Sequence, residues 1–302
     1  MNRAIELSII IVTWNSQEFI GECLHSIFSQ KGVDFRVWVV DNGSSDKTCE
    51  IIKTDSPQIN LICNERNLGY AKANNQALEL AKGEFILFLN PDVRLCSGAL
   101  HKMLDFMYQN SDVAALGPKL LNPDGTIQPS CREFPGYSTL IWEFTCLSHL
   151  FPKSKIFGAW RMGYFNYQEI REVDQPMGSA LLVRKKALDS LGFLDESFPV
   201  FFNDVDLCYR IKKANGKIVF YPEAEIFHYK GKSVEMVKPE MIIVSHLAFY
   251  RFLKKCKKGI SRQFLNSVFG LLLCLSALFR ITFYHLRRII FLVCVFFAVT
   301  IL

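Results

Sequence analysis

The 302-residue sequence predicts an α/β fold, a mostly parallel sheet flanked by helices and followed by a hydrophobic helical tail. Three observations carry this expectation. Four short β-branched apolar runs alternate with three amphipathic stretches between residues 7 and 90, the pattern of strands joined by crossover helices. The runs are apolar throughout rather than at alternate positions, as in strands covered on both faces. Each run also ends in polar residues, and ligands of such sheets gather at the carboxyl ends of their strands.

The elements follow in order. "LSIIIVTW" (7–14) reads as the first buried strand. Behind it, Phe19, Ile20, Cys23, Leu24, Ile27 and Phe28 form one helical stripe, with Ser16 placed to cap it. "FRVWVVD" (35–41) and "SSDKTCEIIK" give the next strand and helix. "INLICN" (59–64), a helix through "AKANNQALELAKG" and the strand "EFILFLN" (84–90) follow. The strands run into Thr13-Trp14-Asn15, Asp41-Asn42-Gly43, Asn64 to Asn67, and Asn90-Pro91-Asp92. Asn, Asp and Gly are ordinary turn residues, but four such clusters in register mark one end of the sheet as a site. The alternation breaks after Gly117, and residues 118–175 are rich in aromatics and proline without a clean period. A stretch of that kind within a domain is usually functional. "GSALLVRKKAL" (178–188) resumes as strand and short helix. "DLCYRIKKANGKIVFYP" gives a helix, a stop at Gly216 and another strand.

Half of the residues are apolar, enough for a substantial core, and the net charge is +6. The charge is uneven: "RFLKKCKKGISR" (251–262) holds six of the 35 basic residues and no acid. It lies directly before an apolar tail, which favours an anionic membrane surface over nucleic acid as its partner. The tail has 16 uncharged residues from Phe264 to Phe279 and 14 more from Ile289, separated by Arg280, His285, Arg287 and Arg288. A spanning helix needs roughly 20 apolar residues. Two arrangements fit: insertion of 264–284 with Arg280 snorkelling, or two short helices in the interface. The basic flank places the preceding domain on the cytoplasmic face. The ten cysteines show no CxxC spacing and read as reduced, buried, small hydrophobes. The apolar run at Leu7–Val12 is too short for a signal peptide and has no small-residue cleavage site after it.

No phosphate-cradling GxxxxGK[ST] or GxGxxG is present, nor a GxSxG or HExxH. A bound diphosphate would therefore need another counter-charge, and a divalent cation on carboxylates supplies one. "FLFLNPDV" suits that role, since Asn90 and Asp92 leave the end of a buried strand at i and i+2 with Pro91 stiffening the turn. In "FFNDVDLCYR" (201–210), Asp204 and Asp206 sit at a helix start, where carboxylates also serve as ordinary caps.

Seven segments, "SIIIVTWN", "VVDNGSSDKT", "NLGYAKANNQAL", "GEFILFLNPDV", "GSALLVRKKAL", "LGFLDESFPVFFNDVDLCYRI" and "YPEAEIFHYKGKS", occur in this order. Together they resemble the family 2 glycosyltransferases of the GT-A fold, especially the bacterial rhamnosyltransferase-like branch, over about residues 7–233. The resemblance implies inverting transfer of a sugar from a nucleotide diphosphate donor, dTDP-rhamnose or a UDP-sugar. The implied acceptor is a hydroxyl of a lipid-linked, growing cell-surface polysaccharide of the O-antigen kind. It implies a GT-A domain over 1–250, its nucleotide-binding half about 1–117 and its acceptor-side half about 118–250. The basic linker and membrane-associated tail then occupy 251–302. The family's metal motif falls on Asn90-Pro91-Asp92, which makes Asp92 the surer ligand of Mg²⁺ or Mn²⁺. The implied nucleotide contacts are Thr13, Asn15, Asp41, Asn42 and Asn90, with Asn67 and Gly69 beside the diphosphate. The family's Glu-Asp motif falls on Asn203-Asp204, so Asp204 is the implied catalytic base and Asn203 a departure that removes one acidic neighbour. His228 matches a histidine that joins the metal or diphosphate in several relatives, although a lone histidine is also a common structural residue. Phe201 and Phe202 would wall the sugar pocket, and Asp206 would cap the helix or touch the acceptor.

Two other classes fit less well, besides a donor other than rhamnose. A catalytically inactive membrane scaffold on this fold would have lost Asp92 or Asp204. A nucleotidyltransferase would carry a glycine-rich basic loop where this chain has "TWNSQEF".

Overall fold

The computed structural model describes residues 6–229, 239–256, 267–282 and 284–285. The chain divides into two compact units, one formed by 1–134 with 148–233 and the other by 135–147 with 234–302. In chain order the elements begin with β1 (Leu7–Thr13), α1 (Ile20–Phe28), β2 (Phe35–Asp41), α2 (Thr48–Asp55), β3 (Asn60–Cys63) and α3 (Tyr70–Leu78). Next come β4 (Phe85–Leu89), β5 (Val93–Leu95), α4 (Ala99–Gln109), β6 (Val113–Leu121), β7 (Cys131–Arg132), α5 (Tyr137–Phe144) and α6 (Leu147–Leu150). The chain continues through β8 (Arg171–Glu172), β9 (Gln175–Pro176), β10 (Ala180–Arg184), α7 (Lys185–Leu191), α8 (Asn203–Lys213), β11 (Lys217–His228) and α9 (Pro239–Cys256). A further helix, α10, covers 267–282.

The first unit is built on a sheet in the order β3-β2-β1-β4-β10-β6-β11-β5, with β8 also on β11. All seven residues of β1 are buried. Leu7, Ile9 and Ile11 face a core shared with Ile20 and Leu24 of α1 and Leu100 and Met103 of α4. Ile10 and Val12 face the opposite core, with Ala71 and Ala77 of α3, Leu188 of α7 and Leu207 of α8. At about 1.5–3 kcal/mol for each large side chain removed from water, covering both faces decides the architecture.

The sheet is mixed, which corrects the mostly parallel expectation. Four of its eight strand pairings are parallel, β3-β2, β2-β1, β1-β4 and β6-β11. Strand β10 instead runs antiparallel to both β4 and β6. The reversal is set by the connection over 122–179, which leaves the end of β6, passes through β7, α5, α6, β8 and β9, and enters β10 at that same end of the sheet. This reversal matters for function. It starts β10 where β4 ends, so that Asn90 N–H donates to Ser179 O at 2.9 Å. Strand β11 parallels β6 and ends at His228, while the antiparallel β5 sets Val93 opposite His228. Asp92 and His228 therefore become neighbours through register.

Other expectations are also corrected. Ser16 does not cap α1 with its side chain: the hydroxyl turns back to Trp14, and the backbone carbonyl accepts from Phe19 and Ile20 N–H. Of the described cysteines all are free, yet Cys63, Cys146 and Cys274 are exposed rather than buried. The span expected at 118–175 to lack periodicity opens with the end of β6.

In the second unit, α10 rests one face on α5 and α9. Phe269 stacks on Tyr137 with ring centroids 4.6 Å apart, and Ser276 Oγ lies 3.2 Å from His246 Nε2. Its other face carries Leu271, Leu278 and Phe279, which are 63%, 62% and 72% exposed. No helix among the described residues is long and apolar enough to cross a membrane. The second apolar run of the tail, from Ile289, lies outside the described residues.

Candidate active site

At the end of β1 the buried Thr13 donates from Oγ1 to Asp41 Oδ1 at 2.9 Å, tying the tips of two neighbouring strands. Ser44 adds its N–H to Asp41 Oδ2 at 3.0 Å and its hydroxyl to Oδ1 at 2.5 Å. Asn15, in the left-handed region at φ 50°, donates its N–H to Ser44 Oγ and accepts Ser45 N–H on Oδ1, both at 2.8 Å. Asn42 is buried and shapes the next loop. Its Nδ2 donates to Asn67 Oδ1 at 2.8 Å, and its Oδ1 accepts Leu68 N–H at 2.9 Å and Asn64 Nδ2 at 3.2 Å. Asn67 Oδ1 also accepts Gly69 N–H at 2.9 Å. Gly69 stands at φ 90°, where an added Cβ would meet Pro199 Cβ at 3.0 Å, so only glycine suits this turn. The next N–H, of Tyr70, donates to Pro199 O at 2.5 Å. The Asn67–Gly69 loop is thereby bound to the segment that leads into α8.

The end of β4 gives the second part of the site. Tyr70 Oη lies 3.5 Å from Asn90 Oδ1. Burial, with lesser contributions from the nearby Asp204 and Asp92 charges, pushes the Tyr70 hydroxyl far above its ordinary range and keeps it protonated. Asp92 is buried, with Oδ1 3.5 Å from Nε2 of the buried His228. The histidine is held from behind. Its Nδ1 is 2.7 Å from Gln128 Oε1, while Gln128 Nε2 donates to Asn122 Oδ1 at 2.9 Å and to His228 O at 3.1 Å. Both partners of the amide nitrogen are acceptors, so Oε1 is fixed toward the ring and Nδ1 carries the proton. Nε2 is left to face the carboxylate. One carboxylate and one imidazole so oriented fit a divalent cation that also takes phosphate oxygens and waters. Among the described residues there is no cluster of three or more His, Cys, Asp or Glu able to enclose an ion without such outside ligands.

The third part is the start of α8. Phe202 precedes it at φ 69°, the left-handed region that bulky residues rarely adopt, and strain of this kind concentrates at functional sites. Asn203 is buried and donates from Nδ2 to Val200 O at 2.7 Å, which braces the strained turn. Asp204 receives Val205 N–H on Oδ1 at 2.9 Å and Gly178 N–H on Oδ2 at 3.0 Å. Burial raises its pKa above the ordinary carboxylate value, and the two backbone donors only partly offset that. Asp206 is placed differently from its neighbour. Its fully buried side chain pairs with Arg210 at 2.8 Å, and Arg210 in turn donates to the carbonyls of Leu191, Gly192 and Phe193. The structure thus brings Asp204, Asn90, Asp92 and His228 to one end of the sheet and gives Asp206 to the packing of α8.

Three residues of this site escaped sequence reasoning. Tyr70 lay inside a quoted motif, which gave it no role. Gln128 sits in the aperiodic stretch, where nothing marks it. Gly178 opens a strand motif, with no signal that it faces a carboxylate 26 positions later.

The description "Glycosyl transferase family 2" belongs to the family model that matches residues 8–165. Over 266 residues the chain is 30% identical to N-acetylglucosaminyl-diphospho-decaprenol L-rhamnosyltransferase of Mycobacterium tuberculosis, spanning 84% of this chain and 85% of that one. It is 24% identical over 214 residues to a low-salt glycan biosynthesis hexosyltransferase of Haloferax volcanii, spanning 70% and 62% of the two chains. Among solved structures, S. aureus TarS 1-349 in complex with UDP-GlcNAc aligns with a TM-score of 0.53 at 22% identity, over 80% of this chain and 65% of that one. GalNAc-T7 with UDP, GalNAc and Mn²⁺ aligns with a TM-score of 0.55 at 16% identity, over 76% and 44%. These structural likenesses speak for the fold.

Proposed function

The chain belongs to glycosyl transferase family 2, and from that premise we propose that it is an inverting, metal-assisted glycosyltransferase. It moves a sugar, rhamnose favoured, from a nucleotide diphosphate donor to a hydroxyl of a lipid-linked saccharide. The observation that carries this reading is one shared end of the sheet. There a half-buried carboxylate held by two N–H groups, Asp204, lies near the same tyrosine hydroxyl as Asp92, which faces His228.

Asp204 takes the proton from the acceptor hydroxyl as the acceptor oxygen bonds to the anomeric carbon. The bond from that carbon to the donor phosphate breaks on the opposite face, and its electron pair leaves with the nucleoside diphosphate. Asp92 and His228 would hold Mg²⁺ or Mn²⁺. Such an ion neutralises charge developing on the leaving diphosphate. Thr13, Asn15 and Asp41 line the nucleotide side, while Asn42 and Asn67 hold the Gly69 turn for the diphosphate. Phe202 and Asn203 shape the sugar pocket. Asp206 serves the pocket only indirectly, by fixing α8.

The relative's name supports the acceptor class, since N-acetylglucosaminyl-diphospho-decaprenol is a lipid-linked saccharide. It also favours rhamnose, whereas the likeness to a UDP-GlcNAc complex keeps a UDP-sugar as the alternative donor. An acceptor in a bilayer suits the exposed apolar residues of α10 and the basic run beside it in sequence, with the catalytic unit on the cytoplasmic face. A panel of nucleotide sugars incubated with purified protein, Mn²⁺ and a lipid-diphosphate saccharide tests the reading. Release of nucleoside diphosphate with dTDP-rhamnose is expected. Release only with a UDP-sugar would replace rhamnose, and release with no donor would contradict the proposal.

A further inference from the structure

We infer that Gly178 is a positioning residue for the catalytic carboxylate, through both the N–H it offers and the side chain it lacks. The inference rests on the transferase reading above and deepens it at the same site.

Gly178 lies two residues before β10, at the end of the sheet where β4 finishes. Its N–H donates to Asp204 Oδ2 at 3.0 Å. An added Cβ would stand 2.8 Å from Asp204 Cβ, 2.8 Å from Oδ2 and 3.0 Å from Cγ, and these are its three nearest neighbours. The two contacts at 2.8 Å are closer than real Cβ atoms approach, and the third is tighter than most. Relief cannot come from swinging a distant side-chain tip, because Asp204 Cβ is fixed to the backbone of α8. The carboxylate itself must move. Its other tether, Val205 N–H to Oδ1 at 2.9 Å, belongs to α8 and would not bring it back toward β10. Gly178 therefore defines the gap between β10 and α8 in which the base sits. A misplacement near 1 Å at a reacting group costs about 10²-fold in rate.

The full-length Gly178→Ala variant is expected to lose about 10²-fold in kcat with the donor KM changed less than about threefold. A donor KM raised with kcat intact would overturn the inference, because the effect would then lie in nucleotide binding. A kcat within about threefold of wild type would overturn it as well.

Thermal unfolding separates placement from general packing damage. Because the clashing atoms are all from Asp204, Gly178→Ala should lower Tm when Asp204 is present. It should leave Tm unchanged in an Asp204→Gly background, where those atoms are gone. Equal losses in both backgrounds would show that the methyl group collides elsewhere and would overturn the proposal. If Gly178→Ala alone fails to fold, folding of the double variant supports the inference and failure of the double variant overturns it. Wild-type turnover is read first: an inactive wild type overturns the transferase reading, whereas an active wild type with an unimpaired Gly178→Ala overturns only this inference.

Discussion

Asp204 sits where two opposing effects meet. A helix N-terminus and two backbone N–H donors favour its ionised form, by about 0.3–1 kcal/mol for the helix effect at an exposed site. Burial favours the neutral form, and the net direction is upward, so burial wins. A base must be ionised to accept a proton. Transfer should therefore rise with pH through an apparent pKa above the ordinary carboxylate range, a limb to be read from kcat/KM across acidic buffers. A limb at or below the ordinary value would contradict the upward shift that partial burial gives Asp204. The stability sign is opposite: a folded-state pKa above the unfolded one gives stability that is present below the unfolded pKa and is lost as pH rises through the folded value. Asp204 was singled out in the sequence by the resemblance to the family's Glu-Asp motif, since by pattern alone both Asp204 and Asp206 read as ordinary helix caps. Gly178 and Gln128 were not, since their meaning arises from contacts 26 and 100 positions away, with Asp204 and His228. For Asp92, the expected outcome is that Asp92→Ala weakens Mn²⁺ binding measured by calorimetry, and that EDTA stops turnover. Full turnover in chelator would remove the cation from the mechanism.

At the scale of elements, residues 7 to 90 were readable because strand and helix periods differ and turn residues separate them. The direction of β10 was not readable, because "ALLVR" has the same pattern whichever way it runs. Direction follows from the connection, and that connection lies in the stretch without a period. Asp206 was misjudged for a related reason: i, i+4 spacing to Arg210 allows a pair, but only packing shows that the acid is wholly buried. Removing one partner of a buried pair typically costs about 3–5 kcal/mol. Arg210→Ala should destabilise the protein by that order in urea unfolding, with the lost bonds to the 191–193 carbonyls contributing. A loss under about 1 kcal/mol would show that water reaches Asp206 and that the pair acts like an exposed one.

At the scale of the molecule, composition marks where charge vanishes, from 264 to 279, whereas the second compact unit begins at 234 and takes in 135–147, which composition does not mark. How the tail meets a bilayer was not distinguishable, because 16 uncharged residues fall between a span and an interfacial helix. The exposed Leu271, Leu278 and Phe279 favour a surface on which lipid replaces water. Truncation after residue 261 should leave donor cleavage intact, abolish cosedimentation with anionic vesicles, and slow transfer to a lipid-linked acceptor. Unchanged cosedimentation would place membrane binding elsewhere in the chain. The central claim is that Asp204 accepts the acceptor's proton during inverting transfer. It is tested most directly by single-turnover transfer with wild type and Asp204→Asn, reading nucleoside diphosphate release and the anomeric configuration of the product by NMR. The account predicts inverted product from wild type, and a loss of 10²–10⁴ in rate for the variant with donor affinity within a few-fold. Retention of configuration, or a variant that keeps more than about a tenth of wild-type turnover where loss of a base costs at least about 10², would contradict it.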